Sequence, residues 1–258
     1  MSIARLTFVW SAASNFNRRY RMVIHTSDFE SEEIRSLALF SSLDDARFSM
    51  LMRGAYVQNL PPMIDLITEG DKSDFLHVLI SGSVELFANW NDHETTMAVL
   101  RPTSTFILAA TIRQARYLMS ARTLEKSRIV LVPSEDVSAM FDLAPDFARA
   151  VVTELAICYR ANIMTTKNLK LRSSLERLAN HLLAERKLAG DTQSFELGIE
   201  KRRLASSLGM TPENLSRAFR QLKPYGVAID GSRVIIADPS DLEGLAKPAD
   251  LIDEPCLK

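Results

Sequence analysis

The sequence predicts an α+β chain in three parts: an N-terminal antiparallel β-roll (a jelly roll), one long helix, and a C-terminal winged helix-turn-helix. Three observations predict it. Short apolar runs between Gln58 and Pro133 are punctuated by turn residues, the mark of an antiparallel barrel or sandwich. Between Ala144 and Leu171 the apolar period lengthens from two to about 3.5 residues. From Glu200 to Ile236, two short helical segments flank Gly209 and two strands follow around Asp230-Gly231.

Size and composition support this plan. A chain of 258 residues has room for about two domains. With 47% hydrophobic and 24% charged residues and only 9 Gly and 10 Pro, it is neither collagen-like nor wholly disordered. No apolar run reaches the ~20 residues that span a bilayer, because Arg5 and Ser11 interrupt the stretch from Ile3 to Ala13; no membrane partner is expected. Cys158 and Cys256 are too few and too far apart for a disulfide framework or a metal cluster, which points to a reducing cytoplasm. Residues 1–27 carry Arg5, Arg18, Arg19 and Arg21 and no acid; they are expected to form a mobile basic extension, and Met22 stands as an alternative start.

The β-roll is assigned to residues 28–143. Its strands are read at Phe75 to Ile80, Val84 to Phe87, Met97 to Leu100 and Arg128 to Val132, separated by Pro61-Pro62, Glu69-Gly70-Asp71, Ser81-Gly82-Ser83, Asn89 to Asp92, and Pro102. A short helix, Ser134 to Phe141, precedes the long helix at 144–170, which opens at Ala144-Pro145-Asp146. There Val151, Leu155, Cys158, Asn162, Thr165 and Leu169 recur at alternating steps of four and three. That is coiled-coil seam spacing, for which a second copy of the chain is the expected partner and packing on the chain's own domain the alternative. Asn162 would fix the register and Cys158 would pack as a small hydrophobe.

The C-terminal domain is assigned to 171–238. A helix from Leu171 to Leu188 gathers Leu175, Leu178, Ala179, Leu182 and Leu183 on one face and ends at Gly190; residues 190–197 read as a loop, and 239–258 as an acidic tail with few packing residues. Between Glu200 and Leu222 each position has a mechanical reason. Ala205 is small where two helices cross, Gly209 permits the sharp turn, and Leu208 and Leu215 fill the wedge. Thr211 can cap the second helix with Pro212 in its first turn.

That second helix should present Glu213, Ser216 and Arg217 to base edges in a major groove: Arg217 to guanine O6 and N7, Glu213 to a cytosine amino group, Ser216 as an adaptable hydroxyl. Lys201, Arg202, Arg203, Thr211, Arg220 and, on the wing, Arg233 are the candidate phosphate contacts. Charge agrees: from Glu200 to Gly226 six basic residues (Lys201, Arg202, Arg203, Arg217, Arg220, Lys223) face Glu200 and Glu213, a net +4 within a chain of net −1. The partner implied is double-stranded DNA.

Over roughly residues 35–240 the chain resembles the CRP/FNR family of bacterial transcription regulators. The resemblance rests on Phe75-Leu76-His77-Val78-Leu79-Ile80-Ser81-Gly82-Ser83-Val84 in the roll, on the long helix that dimerises these proteins, and on the winged helix-turn-helix. Glu213-Asn214-Leu215-Ser216-Arg217 matches the Glu-x-x-Ser-Arg reading motif of the FNR branch, and Pro212 stands where the cAMP-receptor branch has another base-reading Arg. The resemblance implies a cyclic-nucleotide-binding-like roll, a homodimer on an FNR-like near-palindrome with TTGAT-type half-sites, and contact with RNA polymerase.

Departures from the family limit the cofactors. The family's cAMP site uses a Gly-Glu pair and an Arg-Ser/Thr pair, whereas this chain reads Phe106-Ile107-Leu108-Ala109-Ala110 and Tyr117-Leu118-Met119, so cAMP is not expected; Arg113, Arg116 and Arg122 match no phosphate pair. An FNR-type iron-sulfur cluster needs four thiolates and the chain has two cysteines. Haem, with His77, His25 or Cys158 as ligand, is a remaining possibility, against packing for His77 and against regulation without a small ligand. His93 and His181 read as surface residues. No Ser/His/Asp, Cys/His or paired-carboxylate constellation can be placed, so no enzyme is expected.

Overall fold

The computed structural model describes residues 31–91 and 93–253. The expected basic extension 1–27, His25 and Cys256 lie outside them. The described chain divides into two compact units: one holds the residues up to Leu155 apart from His93–Met97, the other holds that stretch and Ala156 onward.

The described part of the first unit begins with three short helices, α1 (Ser31–Arg35), α2 (Ala38–Ser41) and α3 (Asp45–Met52). Eight strands follow among the described residues: β1 (Tyr56–Leu60), β2 (Asp65–Ile67), β3 (Phe75–Ser81), β4 (Val84–Trp90), β5 (His93–Leu100), whose first five residues are counted with the second unit, β6 (Ser104–Phe106), β7 (Ser120–Thr123) and β8 (Ser127–Pro133), with helix α4 (Leu108–Arg113) between β6 and β7. They make two four-stranded sheets, ordered β1-β8-β3-β6 and β2-β7-β4-β5. This is the expected roll, built from twice as many strands as the sequence indicates. Alternation along β3 supplies two cores. Leu76, Val78 and Ile80 face a helical layer with Phe40, Phe48 and Phe147, while Leu79 faces the sandwich interior with Leu60, Phe106 and Ile129.

Helix α5 (Ser134–Leu143) leads into the long helix α6 (Pro145–Leu171), close to its expected bounds. Among the described residues no helix is long and apolar enough to cross a membrane.

In the second unit, α7 (Ser174–Leu188) starts at a capping box in which Ser173 Oγ accepts from the Glu176 N–H and Glu176 accepts from the Ser173 N–H. The helix-turn-helix is α8 (Lys201–Ser207) and α9 (Pro212–Gln221); the wing is β10 (Val227–Asp230) and β11 (Arg233–Ile236). Its two-residue turn is Gly231-Ser232, one position later than expected, with Asp230 opposite Arg233 and Gly231 at φ 59°. The supposed loop 190–197 holds a strand, β9 (Ser194–Glu196), which pairs with β11.

The acidic segment after residue 238 is corrected too. It forms α10 (Pro239–Ala246), capped by Asp238, and α11 (Asp250–Asp253). Leu242 and Ala246 are buried in the same core as Leu178 and Leu182, and Asn180 Nδ2 donates to Ala246 O. Two well-placed apolar residues and one buried amide suffice to seat a helix that composition alone makes look solvated.

Candidate nucleic-acid interface

The recognition surface follows from what α9 buries. Leu215, Ala218, Phe219 and Leu222 recur at helical spacing and pack with Leu204, Ala205 and Leu208 of the preceding helix, with α7, and with Val227, Val234 and Ile236 of the wing. That stripe turns Glu213, Asn214, Ser216, Arg217 and Arg220 to solvent, where all are exposed. The three residues assigned to base edges therefore share one accessible face. Thr211 Oγ1 accepts from the Asn214 N–H, Pro212 occupies the first turn, and Gly209 takes φ 62° in the turn between the helices.

Local hydrogen bonds pre-order this face. A side-chain hydrogen bond with Thr211, then one with its own backbone, hold the Glu213 carboxyl below the usual carboxylate range, with a smaller contribution from the Arg217 charge. Ser216 Oγ donates to Pro212 O at 3.0 Å and keeps its lone pairs outward, and Arg220 Nε reaches Ser216 O at 3.4 Å.

The phosphate candidates divide. Lys201 and Arg202 are exposed at the start of α8, Arg220 is exposed on α9, and Arg233 is exposed on the wing, with Nη2 on Ser194 Oγ at 2.9 Å. Arg203 is different: it pairs with Glu200, and its side chain is only 14% exposed. Its charge is already compensated within the chain. The Thr211 hydroxyl, engaged at the cap, is accessible at the start of the recognition helix.

On the long helix the expected row divides. Val151 is fully buried against the chain's own core and Leu155 packs on it, so the N-terminal part of the expected seam serves its own domain. Cys158, Asn162, Thr165 and Leu169 are exposed. Large apolar residues left in solvent on this helix are Val152, Tyr159, Ile163, Leu169 and Leu171; the first three, with Ala156 and Thr166, repeat the four-three spacing one position on from the expected row, to which Leu169 belongs. A helix of this composition carries two adjacent apolar rows, and only packing tells which one the domain consumes.

In the roll, His77 lies on β3, 4% exposed, its ring 5.1 Å from that of Phe106. Burial pushes its pKa from 6.5 to about 4, and a backbone hydrogen bond at Phe75 opposes the shift. His93 is exposed at the start of β5, and His181 is half-buried on α7. Arg116 Nη1 donates to Gly70 O at 2.6 Å; Arg122 pairs with Glu85 at 2.8 Å beneath the Phe87 ring; Arg113 is exposed.

Sequence reading passed over one further residue, Arg177 on α7, which stands among apolar neighbours at 8% exposure. A lone arginine on the face that carries Leu178 and Leu182 was the available signal.

Fold and site together define a DNA-binding regulator with an appended β-roll. Residues 57–143 match the cyclic nucleotide-binding domain, and residues 176–245 match the Crp-like helix-turn-helix domain. A "Probable transcriptional activator" of Rhizobium leguminosarum bv. viciae is 25% identical over 212 residues, covering 78% of this chain and 86% of that protein. Among solved structures, FixK2 from Bradyrhizobium japonicum is 19% identical with a TM-score of 0.66, covering 76% of this chain and 98% of the other. A Eubacterium rectale structure described under the CRP/FNR family is 19% identical with a TM-score of 0.67, covering 81% and 98%. The chain belongs to the CRP/FNR family: it is a transcriptional regulator of that type and binds DNA through its helix-turn-helix. The family is one of transcriptional regulators, not enzymes.

Proposed function

We propose that the protein is a homodimer that reads an FNR-like near-palindrome of TTGAT-type half-sites, with Glu213, Ser216 and Arg217 on base edges. The observation that carries this reading is the exposed face of α9, where an acid, a hydroxyl and a guanidinium stand together over a fully buried apolar stripe. Lys201, Arg202, Arg220, Arg233 and the Thr211 hydroxyl hold the backbone and supply most of the salt-dependent affinity. The second copy docks on the long helix along Val152, Tyr159 and Ile163, continued by Cys158, Asn162, Thr165 and Leu169 at the edges of that row. Dimer symmetry places the two half-sites about one helical turn apart. Bound there, the protein recruits or blocks RNA polymerase.

The roll works in this reading without a cyclic nucleotide or an iron-sulfur cluster. Two of the nearby cations are spent, Arg116 on a carbonyl and Arg122 on Glu85, and Leu108 is buried where an anionic phosphate would need donors. His77 acts as a core residue packed on Phe106. Selection of random duplexes by the purified full-length protein tests the reading. It should enrich an inverted repeat of TTGAT-type half-sites; enrichment of a single half-site, or of nothing, would refute it.

A further inference from the structure

We propose that Arg177 is a positioning residue for DNA reading, whose guanidinium ties the turn before the recognition helix to the end of the long helix. The inference rests on the reading of DNA by α9 given above. All five guanidinium N–H groups have acceptors. Nε donates to Leu208 O at 2.7 Å; Nη1 donates to Arg172 O at 2.6 Å and Leu169 O at 3.4 Å; Nη2 donates to Gly209 O and Ser174 Oγ, both at 3.3 Å.

Two of these carbonyls stand at the C-terminal end of α6, Leu169 in its last turn and Arg172 directly after it. Two others, Leu208 and Gly209, follow directly on the C-terminal end of α8. Among the described residues no carboxylate pairs with Arg177. Its charge is instead balanced by the negative ends of two helices and by carbonyls that no intrahelical N–H reaches. One planar fork thus caps two helices at once, which a lysine ammonium cannot reproduce.

Packing at the same place is tight. A Cβ on Gly209 would stand 2.9 Å from Leu169 Cδ2, so the turn lies against the last turn of α6. Thr211, the cap of α9, comes two residues later. Fixing Leu208 and Gly209 therefore fixes the start of the helix that carries Glu213, Ser216 and Arg217. In a dimer, the same fork in each copy ties the direction of α9 to the helix through which the copies meet.

The test uses full-length Arg177→Lys and Arg177→Gln proteins, with two readouts. The first is amide hydrogen exchange at 168–172 and 208–211 against 178–183. The second is affinity for a duplex that the wild-type protein enriches from a random pool, against a scrambled duplex. In Arg177→Lys, exchange should rise about tenfold in both segments together while 178–183 keep wild-type protection. Binding to the enriched duplex should fall about tenfold while scrambled-duplex binding changes by less than about twofold. Wild-type exchange and binding in Arg177→Lys would overturn the proposal. So would uniformly faster exchange through 178–183 with both duplexes weakened alike, which marks a folding role only. If Arg177→Gln fails to fold, Arg177→Lys alone decides. If the wild-type protein enriches no duplex, base reading by α9 fails, and the exchange pattern still decides whether the fork ties the two segments.

Discussion

Lowering the pH should cost the β-roll stability through His77. The side chain is buried in the sandwich and reaches a proton only near pH 4, whereas in the unfolded chain it binds one from about 6.5. The unfolded state therefore holds the extra proton throughout that interval. The stability in question is complete above pH 6.5 and drains away as the pH falls to about 4. At about 1.4 kcal/mol per pH unit the whole interval amounts to about 3 kcal/mol, of which about 1 kcal/mol is lost by pH 5.5. The perturbation is His77→Leu, which keeps an apolar side chain of similar size against Phe106 and removes the titrating group. Urea unfolding followed by circular dichroism at pH 7.5, 5.5 and 4.5 gives the stability of both proteins. The wild-type protein should lose ground to the variant by these amounts as the pH falls. A difference between the two proteins that stays constant over this range would refute the reasoning.

Other perturbations separate the parts of the molecule. Lys201→Ala should weaken cognate and scrambled duplexes alike and flatten the salt dependence by about one counterion, as read by fluorescence anisotropy at several salt concentrations; Arg203→Ala should change the salt slope less, because Glu200 already engages that charge. Tyr159→Arg combined with Ile163→Arg should give a monomer in sedimentation with its helical signal intact, whereas Cys158→Ser should stay dimeric. Leu215→Ala, at a position 1% exposed, should destabilise the C-terminal unit by about 2–5 kcal/mol in thermal or urea unfolding.

The helix-turn-helix was legible in the sequence because each of its positions carries a separate steric demand: Ala205 at a crossing, Gly209 in a left-handed turn, Thr211 at a cap. Strands β3 and β8 were legible as seven-residue, mostly apolar runs bounded by turn residues, nearly every position of which is buried. The strands that escaped are β1, five residues long, and β2, β6, β7 and β9, of three or four residues, too short for a period of two to stand out, and their pairing is set by neighbours distant in sequence. Helix α10 escaped because acids dominate its exposed positions and only Leu242 and Ala246 mark its buried side. That Val151 serves its own domain was not legible, because Val151 and Val152 are equally apolar; what separates them is Phe147 and the roll core packed against Val151, a tertiary fact. Arg177 went unread because an arginine usually marks a solvated face, and the two helix ends that balance it meet only in the fold.

The most direct measurement is a repeat of the duplex selection with Arg217→Ala beside the wild-type protein, followed by affinities for the enriched and scrambled duplexes. The variant should lose its preference at one base pair of each half-site, at a cost of roughly 1–3 kcal/mol on the enriched duplex, and bind scrambled DNA nearly as before. An unchanged base preference, or an equal loss on both duplexes, would contradict the assignment of Arg217 to base reading.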